Sequence, residues 1–233
     1  MVLVNCDLGE KTREDPELFR FIDLANIACG FHAGDALTMD KTVVACLEAG
    51  VRIGAHPGYL DPDGFGRKDL GVPPETLRAQ ILYQIGALEA LVRSRSVRLH
   101  HVKFHGALYH RLAGDYELAR LILKAVRAFD PALRILAPPD SSMSRSAREL
   151  GLEVLEEAFA DRAYHRDGTL VARDREGAVL DGQAAIARVE KIMAQGCIDT
   201  VEGEVLKVAP GTLCLHSDTP GVVAIARGIR RLL

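Results

Sequence analysis

Histidine and acidic side chains recur in this 233-residue chain directly after short apolar runs. The stretch NIACGFHAGD at residues 26–35 places Cys29, His32 and Asp35 immediately behind the apolar lead-in FIDLA. A turn needs glycine and aspartate, but it does not need an imidazole as well. Imidazoles beside carboxylates can transfer protons near neutral pH or bind a divalent metal. The stretch therefore indicates a site of chemistry as well as a connection.

The same arrangement follows six of the seven apolar runs in the chain. The polar residues near these run ends are Asn5, Asp7 and Glu10; Asn26, His32 and Asp35; His56 and Arg67; Lys103 and His105; Asp161 and Arg162; and His216 and Asp218. In parallel α/β proteins the carboxyl ends of the strands face one crevice, so these side chains are expected to converge. Helix capping explains Asp35 and Asp218 equally well, because aspartate is a favoured N-cap. Capping does not explain histidines at four different run ends.

The seven apolar runs predict seven buried strands. They are VLVN (2–5), LANIAC (24–29), VRIGAH (51–56), VRLHHVKF (97–104), LRILAP (133–138), LEVLEEAF (152–159) and TLCLHS (212–217). Most are separated by stretches of helical period, such as 37–50 with Gly50 as its C-cap and 73–94 with its opening prolines. This alternation predicts a parallel α/β sheet, either an open doubly wound sheet or a closed barrel. Seven strands in about 230 residues favour the barrel.

Residues 1–233 are predicted to form a single β/α barrel domain, because no linker or low-complexity tract interrupts them. A small hairpin insertion is predicted near 160–181, with TLVAR turning through DREG into AVL. Such a hairpin after a barrel strand is typical of a lid or a partner surface. Residues 200–208 predict one accessory strand. Asp218 is expected to cap the last helix, with Pro220 in its first turn.

Composition restricts the class of protein. The net charge of −3 argues against a nucleic-acid binder, which would show a basic excess. Five cysteines without a CxxC pair indicate a reducing compartment. No apolar run approaches the roughly 20 residues that span a bilayer, and the N-terminus lacks the basic region of a signal peptide. A cytoplasmic protein without membrane contact is therefore expected.

The residue types leave several kinds of chemistry open. Asp7, His32 and His56 are candidate metal ligands, although no HExxH spacing supports them. Lys103 and Arg67 can hold a carboxylate or a phosphoryl group. The sequence contains no GxxxxGK[ST] motif and no GxGxxG after a strand. If ATP is used, another chain is expected to contribute much of its binding site.

Several longer motifs resemble those of the LamB/YcsF family. In chain order they are VNCDLGE, ANIACGFHAGD, GAHPGYLDPDGFGRK, YQIGAL, VKFHGALYH, FADRAY, GTLVAR and LHSDTPG. The resemblance implies a distorted seven-stranded, TIM-like β/α barrel of the glycoside hydrolase/deacetylase type. It also implies ATP-dependent opening of 5-oxoproline to L-glutamate, together with two further subunits, B and C. The chain departs from the family pattern at Phe104, His110 and Ser217, and the loop after Glu10 looks shortened.

With this resemblance, the residues near the run ends divide into two predicted sets. Asp7, His32, Lys103 and His105 are predicted to be catalytic, with Asp7 and His32 in proton transfer or water activation. The predicted substrate-binding residues are Asn5, Glu10, Asn26, Asp35, His56, Arg67, Asp161, Arg162, His216 and Asp218. ATP is the expected co-substrate, with Mg²⁺ accompanying it, and a homo-oligomer stays open. The alternatives are a stand-alone metal-dependent deacetylase or amidohydrolase and a scaffold component without catalysis of its own.

Overall fold

The computed structural model describes residues 2–10 and 16–233. Its strands are β1 (Leu3–Leu8), β2 (Leu24–Ala28), β3 (Arg52–His56), β4 (His101–Val102), β5 (Arg134–Ala137), β6 (Val154–Phe159), β7 (Cys197–Asp199), β8 (Val205–Lys207) and β9 (Thr212–His216). Its α-helices are α1 (Ala36–Ala49), α2 (Pro74–Arg93), α3 (Gly106–Gly114), α4 (Tyr116–Phe129), α5 (Ser142–Glu149), α6 (Gly182–Gln195) and α7 (Val222–Arg230). Residues 11–15, in the loop predicted to be shortened, lie outside the described residues.

Seven strands form a closed parallel barrel in the order β1-β2-β3-β4-β5-β6-β9, with β9 pairing to β1. Each of the seven apolar runs contributes one of these strands, so the predicted seven-stranded β/α barrel is confirmed. The barrel is uneven, since β4 contains only two residues although the run at 97–104 predicted a longer strand. Parallel order puts the carboxyl ends of all seven strands at one mouth.

The barrel interior is filled by hydrogen-bonded polar side chains as well as by apolar ones. Asn26 Nδ2 donates to Asn5 Oδ1 at 2.8 Å and to Asp7 Oδ1 at 2.7 Å. Asn5 Nδ2 donates to Thr212 Oγ1 at 2.9 Å, and His101 Nε2 donates to Asn26 Oδ1 at 2.7 Å. A buried polar group without a partner costs about 1–3 kcal/mol, so this chain of bonds is stable only as a complete set. It fixes the side chains directly beneath the mouth.

The helices form an outer layer whose ends follow local sequence signals. Gly50 ends α1 with φ of 71°, a left-handed conformation that favours glycine, as its predicted C-cap role requires. Asp35 caps the start of the same helix by accepting the Thr38 N–H at 2.7 Å. Helix α3 follows β4 directly and was not predicted. Among the described residues, no helix is long and apolar enough to cross a membrane.

Two predictions about the second half of the chain are wrong in detail. Asp218 does not cap α7, because Gly221 occupies the N-cap position and Asp218 accepts a hydrogen bond from Arg173 instead.

The predicted hairpin between TLVAR and AVL does not form. Isolated antiparallel bridges pair Tyr164 with Leu170 and Arg162 with Val179, so both segments fold back on the residues that follow β6. The accessory strand predicted at 200–208 is β8, which pairs with β7.

Substitution of Gly54 by alanine should destabilise the barrel, because an added Cβ would lie 2.2 Å from ring atoms of the buried His101. We expect a loss of about 1–3 kcal/mol in the free energy of unfolding, measured by urea denaturation. Gly86→Ala in α2 is the matched control, since a Cβ there meets nothing within 4 Å and alanine favours helix by about 0.5–1 kcal/mol. Equal stability of the two variants would contradict the close packing of β3 on His101.

Candidate active site

A cavity of 950 Å³ opens at the mouth of the barrel, where the strand carboxyl ends meet. Its floor contains Asp7 and Lys103, and its wall contains Glu10, His56 and His105. Its rim is supplied by the loop after β3, by α3 and by the insertion after β6. The structure therefore brings together residues that lie up to about two hundred positions apart in the sequence.

The floor is organised around the buried ammonium group of Lys103, whose side chain is 2% exposed. Its Nζ lies 2.9 Å from Asp7 Oδ1, 3.1 Å from Glu157 Oε1 and 2.8 Å from Cys214 Sγ. Burial opposes the charge on Lys103, but Asp7, Cys214 and Glu157 outweigh it and raise its pKa well above the ordinary value. Lys103 is therefore a cation at neutral pH in the floor of the cavity.

Asp7 links the floor to the wall. Its Oδ2 lies 3.3 Å from His56 Nε2, while its Oδ1 contacts Lys103. Burial raises the pKa of Asp7, but His56 and Lys103 outweigh burial and hold the pKa well below its usual range. Asp7 is thus an ionised carboxylate with an imidazole beside it, which is the arrangement that general acid–base catalysis uses.

The wall is a cluster of three imidazoles around Glu10. Glu10 Oε1 lies 3.3 Å from His32 Nε2 and 3.3 Å from His105 Nδ1. The rings of His32 and His105 stack with centroids 3.7 Å apart, and His105 Nδ1 lies 3.0 Å from His56 Nε2. These contacts make the wall a rigid group of nitrogen and oxygen atoms.

The three imidazoles differ in charge preference. Burial lowers the pKa of His32 to about 3 and also lowers the pKa of His105, so both rings are neutral. Burial opposes the charge on His56 too, but the adjacent Asp7 outweighs it and raises the pKa of His56. Burial also opposes ionisation of Glu10, but its hydrogen bonds to His105 and His32 keep the pKa of Glu10 below the ordinary value.

A further histidine near Asp7, His216, is positioned by Asp161. His216 Nδ1 lies 3.0 Å from Asp161 Oδ1, and Thr219 Oγ1 donates to Asp161 Oδ2 at 2.6 Å. Burial raises the pKa of Asp161, but His216 and Thr219 outweigh it and lower the pKa to about 2. With Nδ1 held by Asp161, His216 presents Nε2 towards Asp7 at 3.9 Å.

Three arginines make the rim of the cavity cationic. Arg67 Nη2 lies 3.7 Å from Asp218 Oδ2, and Arg173 forms a short ion pair with the same carboxylate. Arg162 is tied to backbone, donating to Val171 O at 2.6 Å. Burial and repulsion by Arg173 lower the pKa of both Arg67 and Arg162. Arg67 and Arg173 share the single carboxylate of Asp218, so together they can attract a further anion.

Some of the predicted site residues lie away from the cavity surface. Asn5 and Asn26 lie beneath it in the barrel interior, and Asp161 and His32 lie behind His216 and His105. Asp35 is exposed at the start of α1, where it acts as a helix cap. The remaining predicted residues line the cavity, except that Asp218 reaches it through its arginine partners.

The sequence prediction missed several residues of this site. They are Glu157, Cys214, His101 and Arg173. A signal was present for Glu157 and His101, because each belongs to a polar doublet inside an apolar run that predicts a buried strand. Successive side chains of a strand point to opposite faces, so one member of each doublet must face the barrel interior. Arg173 gave no signal of this kind, since it lies in an irregular loop, and only its place at the end of the motif GTLVAR pointed to it.

The depressed pKa of Asp161 predicts a pH-dependent contribution to stability. A carboxyl group with a lowered folded-state pKa stabilises the fold above its unfolded pKa, and this contribution is lost as the pH falls towards about 2. We therefore expect the difference in unfolding free energy between the native chain and Asp161→Asn to shrink by about 1 kcal/mol from pH 6 to pH 3. Urea denaturation at both pH values measures it, and a pH-independent difference would contradict the pairing with His216.

The chain is similar in sequence and structure to known proteins over nearly its whole length. The chain is 45% identical to the A subunit of 5-oxoprolinase from Heliobacterium modesticaldum over 99% of this chain and 93% of that protein. It is 44% identical to the A subunit of 5-oxoprolinase from Pyrococcus abyssi over 99% of this chain and 92% of that protein.

A solved structure, the lactam utilization protein from Thermus thermophilus, superposes with a TM-score of 0.91 at 39% identity. The match covers 100% of this chain and 95% of that protein's chain. The profile of the LamB/YcsF family matches residues 2–233. With barrel, mouth and sequence in agreement over this length, the chain belongs to the LamB/YcsF family.

Proposed function

We propose that this chain binds 5-oxoproline and hydrolyses its lactam to L-glutamate, as the A subunit of an ATP-dependent 5-oxoprolinase. The single observation that supports it best is the buried Asp7–Lys103 pair at the floor of a cavity with a cationic rim. The relatives named as A subunits of 5-oxoprolinase and the lactam utilization protein match nearly the whole chain, and their names support the same function.

The charges of the cavity match the two ends of 5-oxoproline. This molecule has one carboxylate and one five-membered cyclic amide. The rim arginines, Arg67 and Arg173, can bind the carboxylate, since guanidinium groups bind carboxylates through paired hydrogen bonds. The ring then extends towards the floor, where Asp7 and the wall histidines lie. In this proposed binding mode, the amide lies near Asp7 and the wall histidines, which can donate and accept protons.

The residues around Asp7 can carry the proton transfers of amide hydrolysis. A water molecule must lose a proton as it attacks the carbonyl carbon, and the ring nitrogen must gain one as the C–N bond breaks. Asp7 is an ionised base, and His216, whose Nε2 lies 3.9 Å from Asp7 Oδ2, is the proposed carrier of the proton. Lys103 keeps Asp7 ionised and stabilises negative charge that develops near the floor.

Coupling to ATP is part of the proposal because a stable five-membered lactam needs activation. Phosphorylation of the amide oxygen by ATP would release ADP and make the carbon susceptible to water. Cleavage of the C–N bond in the water adduct would leave an acyl phosphate, and a second water molecule would then release phosphate and L-glutamate. The sequence contains no glycine-rich phosphate-binding motif. The relatives' names describe them as one component of a larger enzyme, so we assign much of the site for ATP and its Mg²⁺ to partner subunits B and C.

The insertion at 160–181 is the proposed contact with those partners. It carries Arg173 at the rim and shares the cavity opening with the loop after β3. The complex is proposed to be cytoplasmic, in keeping with the five free cysteines of the described chain.

Asp7→Asn should abolish most turnover, because asparagine cannot accept the proton from water. We expect 5-oxoproline-dependent phosphate release by the reconstituted complex to fall by roughly 10²–10⁴-fold. Asp130→Asn is the control, since Asp130 ends α4 at the opposite end of the barrel, and it should retain activity. Assembly with subunits B and C is followed by gel filtration.

An Asp7→Asn complex that assembles and keeps its rate would remove Asp7 from the chemistry and favour a scaffold role for the chain. Activity of the isolated chain without ATP or partners would instead favour a stand-alone amidohydrolase.

Arg173→Gln should weaken substrate binding more than it slows the reaction. Loss of a charge-assisted hydrogen bond to the carboxylate is expected to raise KM for 5-oxoproline roughly 10- to 100-fold, with a smaller change in kcat. The matched control is Arg166→Gln in the same insertion, whose side chain is 68% exposed and pairs with Glu204. Steady-state kinetics of both variants measure the split, and an unchanged KM would contradict carboxylate binding at the rim.

A further inference from the structure

His56 and His105 of the cavity wall contact each other through one ring nitrogen each. When both rings are neutral, neither of these two nitrogens carries a hydrogen. His56 Nδ1 lies 2.7 Å from the carbonyl oxygen of Lys103, and His105 Nε2 lies 2.9 Å from that of Phe65. A carbonyl oxygen only accepts, so each of these nitrogens must carry the hydrogen. The remaining nitrogens, His56 Nε2 and His105 Nδ1, therefore present lone pairs to each other at 3.0 Å. Such lone pairs repel unless a cation lies beside both.

Glu10 and His32 add two more ligand atoms at the same place. Glu10 Oε1 lies 3.3 Å from His105 Nδ1 and 3.8 Å from His56 Nε2, and His32 Nε2 lies 3.3 Å from the same oxygen. One ligand atom from each of the four residues lies within 4.8 Å of the others. Ligand atoms around a tetrahedral Zn²⁺ with bonds of about 2.0–2.1 Å are roughly 3.3 Å apart.

We propose that Glu10, His32, His56 and His105 bind one divalent transition-metal ion of the Zn²⁺ type. Three imidazoles and one carboxylate suit such an ion better than Mg²⁺ or Ca²⁺, which prefer oxygen ligands. The backbone carbonyls that hold His56 and His105 act as outer partners, since they fix the tautomer with its lone pair directed inward. Metal binding does not require the proposed lactam hydrolysis, so either can fail without the other.

Glycines hold the imidazole cluster in its packed arrangement. A Cβ at Gly66 would lie 2.9 Å from His32 Cβ and 3.0 Å from His105 Cδ2, and one at Gly58 would lie 2.7 Å from His32 Nδ1. The loop after β3 therefore passes against both stacked rings at a distance that only glycine permits. The ion would face the cavity through Glu10, His56 and His105, which line it.

Two rival occupants are defined by the same atoms. A proton on His56, held by Asp7 at 3.3 Å, would also separate the two lone pairs. A metal could alternatively bind the second group of ligand atoms, on Asp7, Cys214 and His216. That group already surrounds a cation, because Asp7 and Cys214 contact Lys103 Nζ at 2.9 and 2.8 Å. The wall is therefore the better metal site.

The test is titration of the tag-free, chelator-treated chain with Co²⁺, followed by its visible d–d absorption and by calorimetry, and then competition with Zn²⁺. We expect one Co²⁺ per chain, displaced by Zn²⁺, and a melting temperature that rises with the metal concentration. Glu10→Gln and His105→Asn should each weaken binding by at least about 10- to 100-fold. His165→Ala, on an exposed histidine in the insertion, should bind as the native chain does.

Circular dichroism shows whether each variant is folded, and the metal-dependent melting of the native chain serves as a measurement that needs no variant. Absence of saturable binding by the native chain would assign the wall to a proton and overturn the metal site. Binding that survives Glu10→Gln and His105→Asn would also overturn it. So would a thiolate-to-cobalt charge-transfer band that disappears in Cys214→Ser.

Discussion

The ammonium group of Lys103, buried between Asp7 and Glu157, is the interaction on which the rest of the mouth depends. Removal of water from a charge costs several kcal/mol, so the lysine is stable there only while its acidic partners are in place. Those partners come from β1 and β6, which are separated by about 150 residues but lie on either side of β9 in the barrel. The buried charge of Lys103 is therefore stable only in the closed barrel, which brings Asp7 and Glu157 together. The charge in turn requires polar side chains in the barrel interior around it.

The hydrogen-bonded side chains beneath Lys103 connect its partner Asp7 to the rest of the barrel interior. Asn5 and Asn26 connect the carboxylate of Asp7 to Thr212 and His101, and each donor in that chain has a defined acceptor. If a strand were shifted by one residue, its polar side chains would point outward to the helices. They would then lose the hydrogen-bond partners that they have in the barrel interior. The hydrogen bonds thus select one register for the parallel strands. They also hold Asp7 in one position, which its proposed role as a proton acceptor requires.

The sequence predicted the repeating parts of this structure and missed those that depend on contacts across the barrel. The number of barrel strands followed from the apolar runs, and Asp7, His56 and Lys103 were recognised because they lie at or just after the ends of such runs. Glu157 and His101 lie inside their runs, where only the register with neighbouring strands shows that they face inward. Asp35 was assigned to the site because its position after β2 is equally good for a cap and for a ligand. Arg173 depends on how an irregular insertion folds back, which no periodicity encodes.

The distribution of charge within the cavity determines how an anionic substrate can enter it. Among the described residues at the floor and wall or directly behind them, four acidic side chains are buried near one buried lysine: Asp7, Glu10, Glu157 and Asp161. This excess of acid favours a further positive charge among the histidines, carried by a proton or by a metal ion. It also repels a carboxylate that approaches the floor, whereas the rim attracts one through its arginines. In the proposed function, this distribution of charge orients a molecule with a carboxylate at one end and a neutral ring at the other, so that its ring is directed at Asp7.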